Sequence, residues 1–222
     1  MILPRPPAAV VFDMDGLLFD TEALYLDAFL RASDEGGHGF GKAVFLRTVG
    51  NTWPMTDALL RRHAGPAFQV DAFLASWHRH YAVVAADGVP LKPGVLSLLD
   101  TIDALGLPRA IATSSRQETA RSHLMAHALT DRFHTVVAHG DAAASKPAPD
   151  PYLLAAARLG VEPSLCLALE DSHNGVRSAS AAGMMTVMVP DLLEATAEIA
   201  ALCAFVATDL HMVKDSLLRA HR

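Results

Sequence analysis

Apolar positions along this chain follow two rhythms. Short unbroken apolar runs stop abruptly at polar clusters, as the buried strands of a parallel sheet do. Between them, apolar residues recur three and four apart, the spacing of an amphipathic helix. The first run, ending Val10-Val11-Phe12, stops at Asp13-Met14-Asp15-Gly16. Beyond Thr21, placed as a helix N-cap, Leu24, Leu26, Ala28, Phe29 and Leu30 predict a helix over 22–31. Further helices are predicted at 42–49, 54–63 and 71–86, broken by Gly50-Asn51-Thr52-Trp53-Pro54 and Gly65-Pro66.

From Leu91 the rhythm alternates. A helix over 95–105 ends at Gly106, and a strand over 109–112 stops at Thr113-Ser114-Ser115. A helix over 117–129, a strand over 135–138, a loop over 139–150 and a helix over 151–159 follow. A strand over 165–169 ends in Glu170-Asp171, a helix over 174–182 ends at Gly183, and a strand over 184–189 ends at Pro190. The tail from Phe205 carries a short strand and a last helix. Strands alternating with helices predict an α/β fold with a doubly wound parallel sheet. The helical block interrupts it after the first strand. The expected division is a core over 1–20 and 88–222 and an all-helical insert over 21–87.

The length of 222 residues suits one large domain or a domain with an insert. No apolar run reaches the ~18 residues of a membrane span, and the start lacks a basic stretch followed by an apolar core. Cys166 and Cys203 are far apart, and Cys166 sits in an apolar run, so free thiols and a reducing cytoplasm are expected. The net charge is -6, and no cluster of lysines and arginines points to a nucleic-acid surface, so no nucleic-acid partner is expected. An anionic substrate would then need local positive charge from a metal, a lysine or backbone amides. His123 and His127 are four apart but lack a third ligand, so they are read as structural.

Ligands of an open parallel sheet bind at the carboxyl ends of its strands. Four polar clusters fall there: Asp13/Asp15, Thr113/Ser114/Ser115, Ser145/Lys146 and Glu170/Asp171. Residues i and i+2 of an extended chain share a side, and paired carboxylates repel unless a cation lies between them. Together the clusters suit phosphoryl transfer. Asp13 would attack phosphorus and Asp15 would serve as acid and base. Glu170 and Asp171, with Asp13, would form an oxygen cage for Mg2+. The Thr113 hydroxyl and the Ser114 amide would hold phosphate oxygens, and Lys146 would offset charge. Taken singly, the Thr-Ser-Ser run reads as a helix cap and Lys146 as a solvated loop lysine.

The four segments resemble the four motifs of the haloacid dehalogenase superfamily. Asp13-x-Asp15-Gly16-x-x-x-Asp20-Thr21 is similar to the first and Thr113-Ser114 to the second. Ser145-Lys146-Pro147-x-Pro149-Asp150 is similar to the third, and Leu169-Glu170-Asp171-Ser172-x-x-Gly175 to the fourth. The nearest group is the beta-phosphoglucomutase-like phosphatases, with a helical cap inserted into a Rossmann-like core. The resemblance implies Asp13 as nucleophile and Asp15 as acid/base. It implies a Mg2+ site made of the Asp13 carboxylate, the Asp15 carbonyl and Asp171, with Glu170 binding directly or through water. It also implies a small phosphorylated metabolite as substrate.

Asp15 argues against dehalogenation, which needs no second acid. A sugar-phosphate mutase would need a second phosphate site in the cap. The stretch Gly50-Asn51-Thr52-Trp53 lacks the arginine that mutases carry there, though Arg79, Arg61 or Arg62 could substitute. A phosphatase is therefore the leading expectation, with a mutase as the alternative. A receiver-like phospho-switch would combine similar groups, but without the helical block. Trp53 would either stack on a substrate or pack a helix corner. A monomer is expected.

Overall fold

The computed structural model describes residues 2–49, 53–86 and 88–221. In chain order the elements are β1 (Ala9–Phe12), α1 (Thr21–Glu35), α2 (Lys42–Leu46), α3 (Trp53–Ala64), α4 (Val70–Val84), α5 (Val95–Ala104), β2 (Arg109–Ala112), α6 (Gln117–Ala126) and β3 (Thr135–Val137). There follow α7 (Asp150–Leu159), β4 (Cys166–Glu170), α8 (His173–Ala181), β5 (Met185–Met188), α9 (Ala197–Ala201), β6 (Phe205–Val206) and α10 (Leu210–Ala220). The chain divides into two compact units, Met1–Phe19 with Pro90–Arg222 and Asp20–Val89.

The first unit holds a six-stranded sheet of order β3-β2-β1-β4-β5-β6. Every pairing is parallel, as the alternating rhythm predicts. The chain winds outward from β1 to β3, then crosses to β4 and winds the other way, so the order reverses beside β1, where doubly wound sheets bind ligands. Strand parity sets the two faces. Ala9, Val11, Ala110, Ala112, Cys166 and Ala168 share a core with Tyr152 and Ala155 of α7 and Ala179 of α8. Small alanines let the helices lie close to the strands. Val10, Phe12, Ile111, Leu167 and Leu169 alternate with them and are also fully buried. A sheet buried on both sides explains why its strands read as unbroken apolar runs.

The second unit is helical, with α1 packed along α4. Phe29 is its centre, in ring contact with Phe40, Phe45, Phe73 and Trp77.

Several element ends differ from the sequence reading. Thr21 is the first residue of α1 rather than its cap; Asp20 holds the cap position with no side-chain capping bond. Helix α6 stops at Ala126 because Ala128 takes a left-handed backbone (φ 53°) and a short 3-10 turn follows at Thr130–Arg132. Strand β4 runs on to Glu170, which still pairs with Met188. No helix among the described residues is long and apolar enough to cross a membrane.

Candidate active site

Register brings the first acids together. Ala9 pairs with Cys166 and Val11 with Ala168, and all four side chains point to the α7/α8 face. Two residues further along each strand stand Asp13 and Glu170, on that same face. The Asp13 amide continues the ladder, donating to the Leu169 carbonyl at 2.9 Å. Lys146, from the loop before α7, lies between the two carboxylates and donates to Asp13 Oδ1 and Glu170 Oε1. Its side chain is 6% exposed. Tyr152, early in α7, donates its hydroxyl to Glu170 Oε1 at 2.8 Å.

The other Glu170 oxygen accepts the Asp171 and Ser172 amides, each at 3.1 Å, and the Ser172 hydroxyl at 3.0 Å. Glu170 is fully buried, and each of its oxygens is met by several donors, as a buried carboxylate requires. Gly175 makes room for it, since a Cβ there would overlap the Glu170 carboxylate. Burial pushes the Asp13 carboxyl up to about 7, against the opposing pull of the Lys146 ammonium. Burial would lower the Lys146 ammonium, but Asp13 and Glu170 hold it above its ordinary value. Lys146 is therefore a fixed cation between two acids.

Asp15 is held separately. Its Oδ2 accepts from the Ser115 hydroxyl at 2.7 Å and from Thr113 Oγ1 at 3.4 Å. Thr113 Oγ1 in turn accepts the Ser115 amide at 3.0 Å. The Thr-Ser-Ser run is thus not the cap of α6; Arg116 holds that position with no side-chain capping bond. Two of its hydroxyls turn to Asp15 instead. Ser114 is exposed and lines a small cleft with Thr113, Ser145 and Lys146.

Asp13, Glu170 and Asp171 each offer a carboxylate oxygen within 4.8 Å of one another. A Cβ on Gly16, whose φ is +83°, would overlap the Asp171 carboxylate, so glycine keeps that approach open. A compact set of hard oxygen donors fits Mg2+. The Asp15 carboxylate lies outside this set, tied to hydroxyls. Strand β1 ends at Phe12, and beyond it the Asp13 and Asp15 carboxylates meet different partners. With Glu170 committed to internal donors, Asp13 and Asp171 are the carboxylates best placed to meet one directly.

Asp13, Asp15, Thr113, Ser114, Lys146, Glu170 and Asp171 all belong to the sheet unit, at the carboxyl ends of β1, β2 and β4 or in the loop before α7. Trp53 and Arg79 belong to the helical unit. Trp53 opens α3 and is 44% exposed; Gly50, Asn51 and Thr52 lie outside the described residues. The Arg79 guanidinium pairs with Glu35 at 2.5 Å and reaches Ser76 at 3.2 Å. His123 and His127 pack their rings beside Phe19. Sequence reasoning assigned no role to Ser115 or Tyr152. Ser115 was signalled only as the third hydroxyl of its run. Tyr152 carried no signal beyond an aromatic near a helix start.

The family described as haloacid dehalogenase-like hydrolase matches residues 7–183. Protein CbbY from Cupriavidus necator is 39% identical over 84% of this chain and 80% of its own length. The fructose-1-phosphate phosphatase YqaB of Escherichia coli is 30% identical over 82% of this chain and 96% of its own. A haloacid dehalogenase family hydrolase from Deinococcus radiodurans, solved with bound phosphate and sodium, superposes with a TM-score of 0.83 at 26% identity, covering 98% of this chain and 97% of that one. Matched from β1 through the Glu170-Asp171 segment, and with relatives named as phosphatases, the chain belongs to the haloacid dehalogenase-like hydrolases and is a phosphatase.

Proposed function

We propose that this phosphatase hydrolyses a small phosphorylated metabolite, a sugar phosphate or similar, through a phosphoaspartate on Asp13 with Mg2+ as cofactor. The observation that carries the reading is the separation of the two leading acids. Asp13 is buried against a lysine ammonium, whereas Asp15 is held by two hydroxyls. One environment suits a nucleophile and the other a proton carrier.

An Asp13 oxygen attacks phosphorus as the ester P–O bond breaks, and the leaving oxygen takes a proton from the Asp15 carboxyl. Water then gives a proton to Asp15, its oxygen attacks phosphorus, and the P–O bond to Asp13 breaks, releasing phosphate. Lys146 offsets negative charge on Asp13 and the transferring group. Thr113 and the Ser114 amide receive phosphate oxygens. Mg2+, held by Asp13, Asp171 and the Asp15 carbonyl, would neutralise charge on the phosphoryl oxygens. Glu170 supports this set through Lys146 and Tyr152.

The name of the fructose-1-phosphate phosphatase YqaB supports a phosphorylated sugar as substrate. The helical unit, residues 20–89, is read as the cap that selects it, with Trp53 as a candidate stacking surface. The pairing of Arg79 with Glu35 removes one cation that a mutase could use for a second phosphate, and favours hydrolysis.

The test is phosphate release from a panel of phosphorylated sugars, nucleotides and glycolate, with Mg2+, with chelator, and with Asp13→Asn. Metal-dependent release that vanishes in Asp13→Asn is expected. Release that persists in the variant, or isomerised phosphosugar with little free phosphate, would overturn the reading.

A further inference from the structure

Near the acid cluster lies a buried carboxylate oxygen that no described residue satisfies. Asp191 follows β5 directly after Pro190, and its side chain is 10% exposed. Oδ1 accepts from Lys92 Nζ at 2.6 Å. Oδ2 is buried and has no hydrogen-bond partner among the described residues. A buried anionic oxygen without a donor is strongly disfavoured unless something outside the chain meets it.

Gly16 shows where that oxygen points. A Cβ on Gly16 would overlap the Asp171 carboxylate and stand 3.2 Å from Asp191 Oδ2. Both carboxylates therefore close on one side of Gly16, the residue directly after Asp15. Strand pairing explains the convergence. Strands β4 and β5 run parallel in register to Glu170 and Met188, and Asp171 and Asp191 leave them at the same edge. Asp191 is not one of the tight trio Asp13, Glu170 and Asp171, and the Lys92 pair balances its charge. It is placed to meet a cation's water rather than the cation.

We propose that Asp191 is a positioning residue for the divalent cation held by Asp13 and Asp171, its Oδ2 accepting a hydrogen bond from a cation-bound water while Lys92 fixes Oδ1. The inference rests on the Mg2+ reading above. Mg2+ keeps several waters when bound to protein, and the groups that orient such outer partners tune affinity. In this arrangement Glu170 organises the protein side of the site through Lys146 and Tyr152, and Asp191 organises its water side.

Mn2+ binding to wild-type protein, Asp191→Asn, Asp191→Ser and Asp171→Asn, read by electron paramagnetic resonance without substrate, tests this. Circular dichroism and melting of the cation-free proteins run alongside. Wild type should bind Mn2+, and Asp171→Asn should lose most of that binding. Both Asp191 variants should bind about 10-fold more weakly or worse while keeping wild-type spectra. If Asp191→Asn fails to fold, Asp191→Ser gives the same reading with a shorter hydrogen-bonding group. Equal affinity in wild type and a folded Asp191 variant overturns the inference and leaves the Mg2+ reading standing; Asp191 is then only the partner of Lys92. A wild-type protein that binds no Mn2+ overturns both.

Discussion

Lys146 illustrates how much a single side chain can govern here. Its ammonium is the shared partner of two buried carboxylates, so removing it strands both. Lys146→Met is expected to lower stability by about 3–5 kcal/mol in urea unfolding of the cation-free protein and to abolish turnover. Unchanged stability would mean that desolvation of the three charges offsets their attraction in the cation-free protein. Ser115→Ala should act differently. It removes one charge-assisted hydrogen bond from Asp15, worth about 1.5 kcal/mol or more. It should lower kcat about 10-fold with little change in KM, because in the proposed mechanism Asp15 acts in the chemical steps. A change confined to KM would place Ser115 at the substrate instead. The acids themselves were readable from the chain, since a buried run ending in carboxylates has few physical explanations. Their partners were not. Which hydroxyl turns to Asp15, and that Tyr152 supports Glu170, depends on register and helix packing, which no local pattern encodes.

The turn from β4 into α8 is held by several hydrogen bonds at once. Ser172 caps α8 by accepting the Gly175 amide at 3.1 Å and also donates to Glu170. One hydroxyl thus starts a helix and fixes a carboxylate of the candidate site. Ser172→Ala should cost about 1 kcal/mol for the cap and somewhat more for the lost donor. Gly175→Ala should cost more still, because its Cβ would overlap a carboxylate that donors hold in place. Melting temperatures should fall in the order wild type, Ser172→Ala, Gly175→Ala; the reverse order of the variants would show that Glu170 has room to move. Strand and helix existence was legible because periodicity is a property of the element itself. Element ends were less so. Helix α6 ends early through the positive φ of Ala128, a residue with no special preference for it. Thr113-Ser114-Ser115 has the composition of a cap, yet tertiary contacts draw two of its hydroxyls to Asp15.

The two units bury separate cores, and damage to one should be visible as such. Phe73 lies fully inside the helical unit against Phe29, Phe40 and Phe68. Phe73→Ala should cost about 3–5 kcal/mol and split thermal unfolding into an early helical transition and a later one for the sheet unit. A single transition merely shifted to lower temperature would show that the units unfold as one. The interruption after the first strand was evident in the sequence, as a helical rhythm with no strand between 22 and 87. The sheet order was not, because periodicity identifies strands without saying which of them are neighbours.

That order has a consequence for synthesis. Strand β1 sits between β2 and β4, yet it leaves the ribosome before either. At about 5–20 residues per second, tens of seconds at the slower rate separate Phe12 from the Leu169 it will pair with. The helical unit is made within that interval from nearby contacts alone and is free to fold at once. Meanwhile Val10, Val11 and Phe12 wait as a bare apolar edge, the kind of segment that nascent chains hand to chaperones. The strand that leads to Asp13, the proposed nucleophile, is thus the internal strand that waits longest for both of its neighbours.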